Sequence, residues 1–168
     1  MKINREWAMP NKNTFQIQPI KNLLDKYSEV KDSMCIDPFA NDSKVARITN
    51  DLNLKYDTKF HLDALDFLKT FSSGSISCVL FDPPYSLRQL KECYEGVGLS
   101  LSQHNTQSFW TDCKKEIARI VKPNGIVISF GWNTSGIGKT YGFEIEEILI
   151  VSHGGHHHDT LVTVERKV

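Results

Sequence analysis

Apolar residues fill five of the six positions 76–81 of this chain (Ile76, Cys78, Val79, Leu80 and Phe81), and polar residues close the run on both sides. A short run without alternation, bounded in this way, predicts a strand buried on both faces. Apolar stretches at 34–39, 46–49 and 126–130 predict further strands, with a short one near 60–62. Between them the period lengthens to that of helices. Ile20, Leu23, Leu24 and Tyr27 share one helical face behind Pro19, which suits a first helical turn. Leu65, Leu68 and Phe71 follow Asp63, a candidate N-cap. Phe109, Cys113, Ile117 and Ile120 mark a third amphipathic helix over 109–121. Two long strands, 143–152 and 160–165, close the chain as an antiparallel pair. Strands alternating with helices predict an α/β fold with a mostly parallel sheet.

Three stretches depart from that rhythm. Residues 1–13 are polar and lack a period, which predicts a flexible arm ahead of one domain spanning 14–168. A parallel crossover with its helix needs a dozen or more residues. The first two predicted strands lie only six residues apart, at 39 and 46, so the first crossover is expected to be shortened and its helix missing. Residues 86–107 are polar, and loops this long in a compact domain are functional or mobile. They are read as a lid or substrate-contacting segment.

Composition narrows the class. A length of 168 residues suits one domain with a proper core. No apolar run approaches the roughly 20 residues of a membrane span, so no membrane partner is expected. Cys35, Cys78, Cys93 and Cys113 share no metal-ligand spacing and imply reduced thiols in a cytoplasmic setting. Twenty basic and twenty acidic residues give zero net charge, so duplex DNA affinity should be weak unless charge is segregated. The N-terminal region is locally basic (Lys2, Arg5, Lys12, Lys21, Lys26), and 144–147 is locally acidic.

The candidate chemistry sits where the central strand stops. Asp82, Pro83, Pro84 and Tyr85 follow Phe81, and neither proline donates a ladder hydrogen bond. Ligands of open α/β sheets bind at the carboxyl ends of the strands. This corner is rich in acceptors, poor in donors, and carries a ring. An exocyclic amino group on a base is a poor nucleophile because its lone pair is delocalised. The Asp82 carboxylate and the Pro83 carbonyl, gripping its two hydrogens, would favour the pyramidal form, and Tyr85 offers a stacking face.

The Asp82-Pro83-Pro84-Tyr85 stretch resembles the D-P-P-Y motif of S-adenosylmethionine-dependent amino-methyltransferases, most closely the DNA adenine-N6 enzymes of small phage and mobile-element type. The resemblance implies a Rossmann-like sheet, S-adenosylmethionine as cofactor and no metal. It implies cofactor contacts from Asp37-Pro38-Phe39 and from Asp63-Ala64, whose Asp also suits an N-cap. Phe15, Ile17 and Pro19 match a family segment that packs over the cofactor, and equally suit a helix covering a sheet edge. Asp51, after the second strand, holds the position of a ribose acceptor, with Asn53 beside it. The family's glycine-rich turn is missing, since 40–44 contains no glycine.

Arg88 and Lys91 are candidate phosphate contacts, Trp132 a core cap or pocket wall, and His153 or His156 candidate pocket residues. Three adjacent histidines point alternately to opposite sides of an extended chain, so a metal centre is not expected. The 135–140 stretch looks like a phosphate loop but lacks the first glycine at the required spacing. The functional expectation is methyl transfer to adenine N6 in DNA, single-stranded or non-specific. Preference should be relaxed or depend on a partner subunit or second copy, because no stretch is long enough for a recognition insert. An RNA acceptor and a non-catalytic partner subunit stay open as alternatives.

Overall fold

The computed structural model of the chain describes residues 1–101 and 108–168. Its strands are β1 (Lys2–Trp7), β2 (Cys35–Asp37), β3 (Ile48–Thr49), β4 (Ile76–Phe81), β5 (Val121–Gly131), β6 (Phe143–Ser152) and β7 (Thr160–Lys167). Its α-helices are α1 (Gln18–Lys26), α2 (Ala64–Lys69), α3 (Leu87–Glu95) and α4 (Phe109–Ile120). The strands form one sheet in the order β1-β6-β7-β5-β4-β2-β3. From β5 to β3 all neighbours are parallel, while β7 runs antiparallel to both β5 and β6. The α/β class and the closing hairpin are therefore as expected.

β4 lies in the middle, and all six of its residues are buried. Cys78 and Leu80 pack with Ile20, Leu23 and Leu24 of α1, and Val79 and Phe81 pack with Phe67, Leu68, Ile117 and Ile120 of α2 and α4. Two helical layers thus seal the strand whose end carries the motif. Pro19 sits in the first turn of α1, and Asp63 accepts the Leu65 N–H at the head of α2 at 3.0 Å.

The N-terminal arm is corrected to a strand. Residues 2–7 pair in parallel with 147–152 of β6, although all six are exposed. Backbone hydrogen bonding to an open sheet edge, rather than side-chain burial, holds β1, so it leaves no apolar period to read. Two basic residues nearby, Lys26 and Arg166, are engaged. Glu147, almost fully buried, accepts from Asn4 at 2.9 Å and the Tyr27 hydroxyl at 2.8 Å, and pairs with Lys26. Arg166 is held by Glu146 and Glu29 at 2.5 and 2.9 Å.

The 86–107 segment is also corrected, since α3 occupies 87–95. Ser86 caps it by accepting from the Gln89 N–H at 3.2 Å. Only Leu90 and Tyr94 are buried, while Arg88–Glu92 and Lys91–Glu95 pair along its outer side. Two inward residues make too narrow a stripe to announce a helix. Residues 102–107 of the expected loop lie outside the described residues.

The first crossover has no helix. Asn50, fully buried, does the joining instead: its side-chain amide donates to the carbonyls of Pro38 and Leu62 at 3.1 and 3.0 Å and accepts from the Leu62 N–H at 2.9 Å. The expected third strand shrinks to one parallel bridge, Asn50 to Phe60. The loop that imitates a phosphate site already holds an anion. Glu165, buried in β7, accepts from the N–H groups of Ile137 and Gly138 at 2.6 and 2.9 Å. Gly136 is left-handed there (φ 51°), and a Cβ would sit 2.3 Å from the Glu165 carboxylate.

Gly136→Ala should therefore cost about 2 kcal/mol or more, combining backbone strain with displacement of a buried carboxylate. Gly74→Ala, also left-handed (φ 65°) but with nothing within 4 Å, should cost only about 1 kcal/mol. Urea unfolding of the two variants checks the order. Equal losses would mean that Glu165 does not anchor the loop.

Candidate active site

With two prolines at its head, the turn after β4 lacks two backbone donors, and two outside side chains and one hydrogen bond within the turn hold it. Trp110 of α4 donates its indole N–H to the Pro84 carbonyl at 3.0 Å. The Tyr85 N–H donates to the Gln89 side chain of α3 at 2.7 Å. The Tyr85 hydroxyl donates to Asp82 Oδ1 at 2.5 Å. Among the described residues no donor meets the Pro83 carbonyl. Burial pushes the Asp82 carboxyl above the ordinary range, and hydrogen bonds from Tyr85 and Thr14 pull it part of the way back. The Tyr85 phenol is pushed up by burial and by the neighbouring Asp82 charge.

This turn is the wall between two clefts. The larger, about 540 Å³, is lined by Pro38, Phe39 and Asn41 after β2, Asp51 and Asn53 after β3, and Asp63 and Ala64 at the head of α2. Asp82 to Tyr85 close its inner side, and Gln89, Leu90, Cys93 and Tyr94 of α3 roof it. The smaller, about 400 Å³, shares Pro83, Pro84 and Tyr85 with the first and adds Trp110, Lys114, Ser129 and Trp132.

The carboxylates around the larger cleft are already engaged. Asp51 accepts from the N–H groups of Asn41 and Asn53 at 2.9 and 2.8 Å. Asn41 adopts φ 47°, the left-handed backbone a glycine would have supplied, and asparagine tolerates it best among the other residues. Asp63 caps α2 with one oxygen and takes the Tyr94 hydroxyl on the other. Burial and the Asp63 hydrogen bond push the Tyr94 phenol up. Asp37 does not line the cleft. It lies wholly buried beneath Phe39, whose N–H it accepts at 3.0 Å, and its second oxygen has no partner among the described residues. Burial holds its carboxyl well above the ordinary range, and the charges of Asp82 and Asp51 push it further.

Other expected residues fall elsewhere. Phe15 packs on Phe130 with centroids 4.9 Å apart, and Ile17 and Pro19 are buried beside α1. Of that segment it is Lys12 and Thr14 that reach the larger cleft. Arg88 and Lys91 face solvent with their carboxylate partners and line neither cleft. His153 is buried, tied to the Ala8 carbonyl at 2.9 Å and the Thr160 hydroxyl at 2.8 Å, and is a structural residue. His156 is exposed and lines neither cleft. From the same hairpin it is His158 that reaches Trp132, with centroids 4.6 Å apart. Tyr94, Gln89, Trp110 and His158 were missed. Only the two inward positions of α3 carried any signal for Tyr94.

No family model and no curated protein matches the sequence. Solved structures do share the fold, which is the Rossmann-like fold of S-adenosylmethionine-dependent methyltransferases. TrmN from Thermus thermophilus is 17% identical, with 90% of this chain and 49% of that chain covered at a TM-score of 0.55. The chain thus spans about half of that protein's length. A SAM-dependent methyltransferase from Archaeoglobus fulgidus is 8% identical, covering 89% of this chain and 94% of that chain at 0.56. The 1,6-didemethyltoxoflavin-N1-methyltransferase of Burkholderia thailandensis, solved with S-adenosylhomocysteine, is 10% identical, covering 80% and 70% at 0.52.

The raised Asp37 carboxyl gives a pH prediction. The native state keeps this proton after the unfolded chain, titrating near pH 4, has released it. Stability from this group is therefore complete at low pH and is lost as pH rises through the folded value. Asp37→Asn removes that loss while keeping an acceptor for the Phe39 N–H. Its melting temperature relative to the parent should climb between about pH 4 and pH 8. A difference that stays flat in thermal scans would show that Asp37 is not perturbed.

Proposed function

We propose that the protein transfers a methyl group from S-adenosylmethionine to the N6 amino group of adenine in DNA. One observation carries this reading: Pro83, Pro84 and Tyr85 line two adjoining clefts and Asp82 lines the larger beside them, so the motif stands between a cleft suited to a methyl donor and one suited to its acceptor. The larger cleft has the volume of a cofactor site. Its residues fit that cofactor: Asp51 and Asn53 are placed for ribose hydroxyls, Asp63 for an amino group, and Phe39, Ala64 and Leu90 for a base. The left-handed turn at Asn41 has the backbone shape of a glycine turn, but the N–H groups of Phe39, Ala40 and Asn41 are already donated to Asp37, Asn50 and Asp51.

S-adenosylmethionine supplies an electrophilic methyl group on sulfur. This chain's residues do the rest. Tyr85 donates to Oδ1 of Asp82 and Thr14 is a second donor to the carboxylate, so the amino group of the base would share or displace the Thr14 contact. The Pro83 carbonyl takes the second amino hydrogen. Both acceptors favour the pyramidal nitrogen, whose lone pair then points at the incoming carbon. The nitrogen–methyl bond forms as the sulfur–methyl bond breaks, and the nitrogen sheds one proton. Asp82, whose carboxyl is raised by burial, is the base at hand to receive it. The D-P-P-Y resemblance, with Asp at its head, favours adenine over other amino targets. Binding of DNA should be weak and its sequence preference relaxed, because the chain has no net charge and a fixed site needs several bidentate base-edge contacts, each worth about 1–3 kcal/mol, where the smaller cleft brings only Lys114 and Asn133.

A radiolabelled methyl assay on adenine-containing DNA, with RNA in parallel, tests the reading. Asp82→Ala should lower turnover on the order of a hundredfold or more with calorimetric cofactor affinity unchanged. Near-normal turnover would remove Asp82 from the chemistry. Tyr94→Phe should tighten cofactor binding several-fold, about the net worth of one hydrogen bond, because it frees Asp63. Unchanged or weaker binding in the same titration would place the cofactor's amino group elsewhere.

A further inference from the structure

Resting on that reading, we propose that Trp132 and His158 form a stacking step for the base next to the target, so that the acceptor is an unpaired strand. Trp132 follows the last residue of β5, and His158 comes from the β6–β7 hairpin, which opens at the same edge of the sheet. With Tyr85 they make a row of rings leading outward from the catalytic corner. Tyr85 and Trp132 have centroids 5.5 Å apart, and Trp132 and His158 4.6 Å. Trp132 is 42% exposed, a large apolar surface at the mouth of the smaller cleft. His158, propped against it, is exposed as well. Aromatic rows of this kind bind bases without regard to sequence, because every base has a π-face.

The angles decide the form of the acceptor. The Tyr85 and Trp132 rings are inclined at 71°. A base lying on each would be inclined by a similar amount, whereas neighbouring bases in a duplex stack in parallel. Two consecutive nucleotides occupy this site only when their stacking is broken, which costs least in a strand that is already unpaired. The floor of the smaller cleft agrees with a base as occupant. Ser129 presents a buried hydroxyl with no partner among the described residues, and Lys114 stands on the α4 side without an ion pair among them. Burial pulls the Lys114 ammonium below its ordinary range. The chain carries no net charge to attract a duplex backbone, and Arg88 and Lys91, the expected phosphate contacts, are paired with carboxylates. Stacking, rather than phosphate neutralisation, then carries most of the affinity.

Fluorescence anisotropy with three labelled probes about 12 nucleotides long tests this: single-stranded DNA with one adenine, RNA of the same sequence, and the DNA duplex. The parent should bind the single strand more tightly than the duplex, with a shallow salt dependence. Trp132→Ala should weaken single-strand binding on the order of tenfold, His158→Ala by a smaller factor, and Trp132→Phe should keep most of the affinity. Tighter binding of the RNA strand supports the step and moves the acceptor from DNA to RNA. Duplex preference, no single-strand binding, or alanine variants that bind like the parent would each overturn it. A methyl assay on the same probes separates the two claims. A parent that binds single strands through Trp132 yet methylates no adenine ends the functional reading and leaves the stacking step standing. Methylation by alanine variants that bind like the parent ends the stacking step alone.

Discussion

The rest of the molecule depends on how the chain turns after β4. Two consecutive prolines remove two backbone donors at the point where a buried strand reaches the edge of the sheet. The turn therefore relies on partners outside it, Trp110 of α4 and Gln89 of α3, together with its one internal bond from the Tyr85 hydroxyl to Asp82. These ties fix the carboxylate and the ring relative to α3 and α4, which pack on the same side of the sheet. They also leave carbonyls, rather than N–H groups, facing the clefts. A corner made this way is an acceptor site by construction, and its chemistry follows from its covalent structure.

Around that corner the protein gathers carboxylates and then restrains them. Asp51 is held by two backbone N–H groups, Asp63 by a helix end and a tyrosine, and Asp82 by a tyrosine and a threonine. Asp37 has one N–H and no more among the described residues, and burial pushes its carboxyl well above the ordinary range. Hydrogen bonding to a carboxylate favours the charged form, while burial and like charges oppose it. The same logic explains Glu165, a buried anion satisfied by two N–H groups of the 135–140 loop. Internal carboxylates occupy the places where ligands of matching chemistry would otherwise be expected, so loop shape alone was a poor guide to a binding site.

Tyr94 links the parts. It leaves α3 to meet Asp63 across the larger cleft, and α3 is joined at its other end to the turn after β4 through Ser86 and Gln89. The helix that roofs the larger cleft is thus attached both to Asp63 and to the turn after β4. It is also one of the most polar elements of the chain, with only two buried side chains. An element so lightly packed has little holding it except those few hydrogen bonds.

What was legible in the sequence was whatever depends on burial or on covalent geometry. The run 76–81 is apolar because β4 is covered on both faces, and the Asp-Pro-Pro-Tyr corner is visible because proline imposes its limits locally. The helices at 18–26 and 109–120 were readable from their stripes, and the missing crossover helix from simple length. Other features needed the tertiary structure, because their stabilising partners lie far away in sequence. β1 is made by the open edge of β6, more than 140 residues on, and its own side chains stay in water. Asn41 replaces an absent glycine through its backbone conformation, which composition does not show. Which of four neighbouring histidines meets a ring was decided by the path of the hairpin: His153 turned inward to Ala8 and Thr160, and His158 outward to Trp132. Sequence patterns report what a residue prefers to be near, and only the fold decides which partner is there.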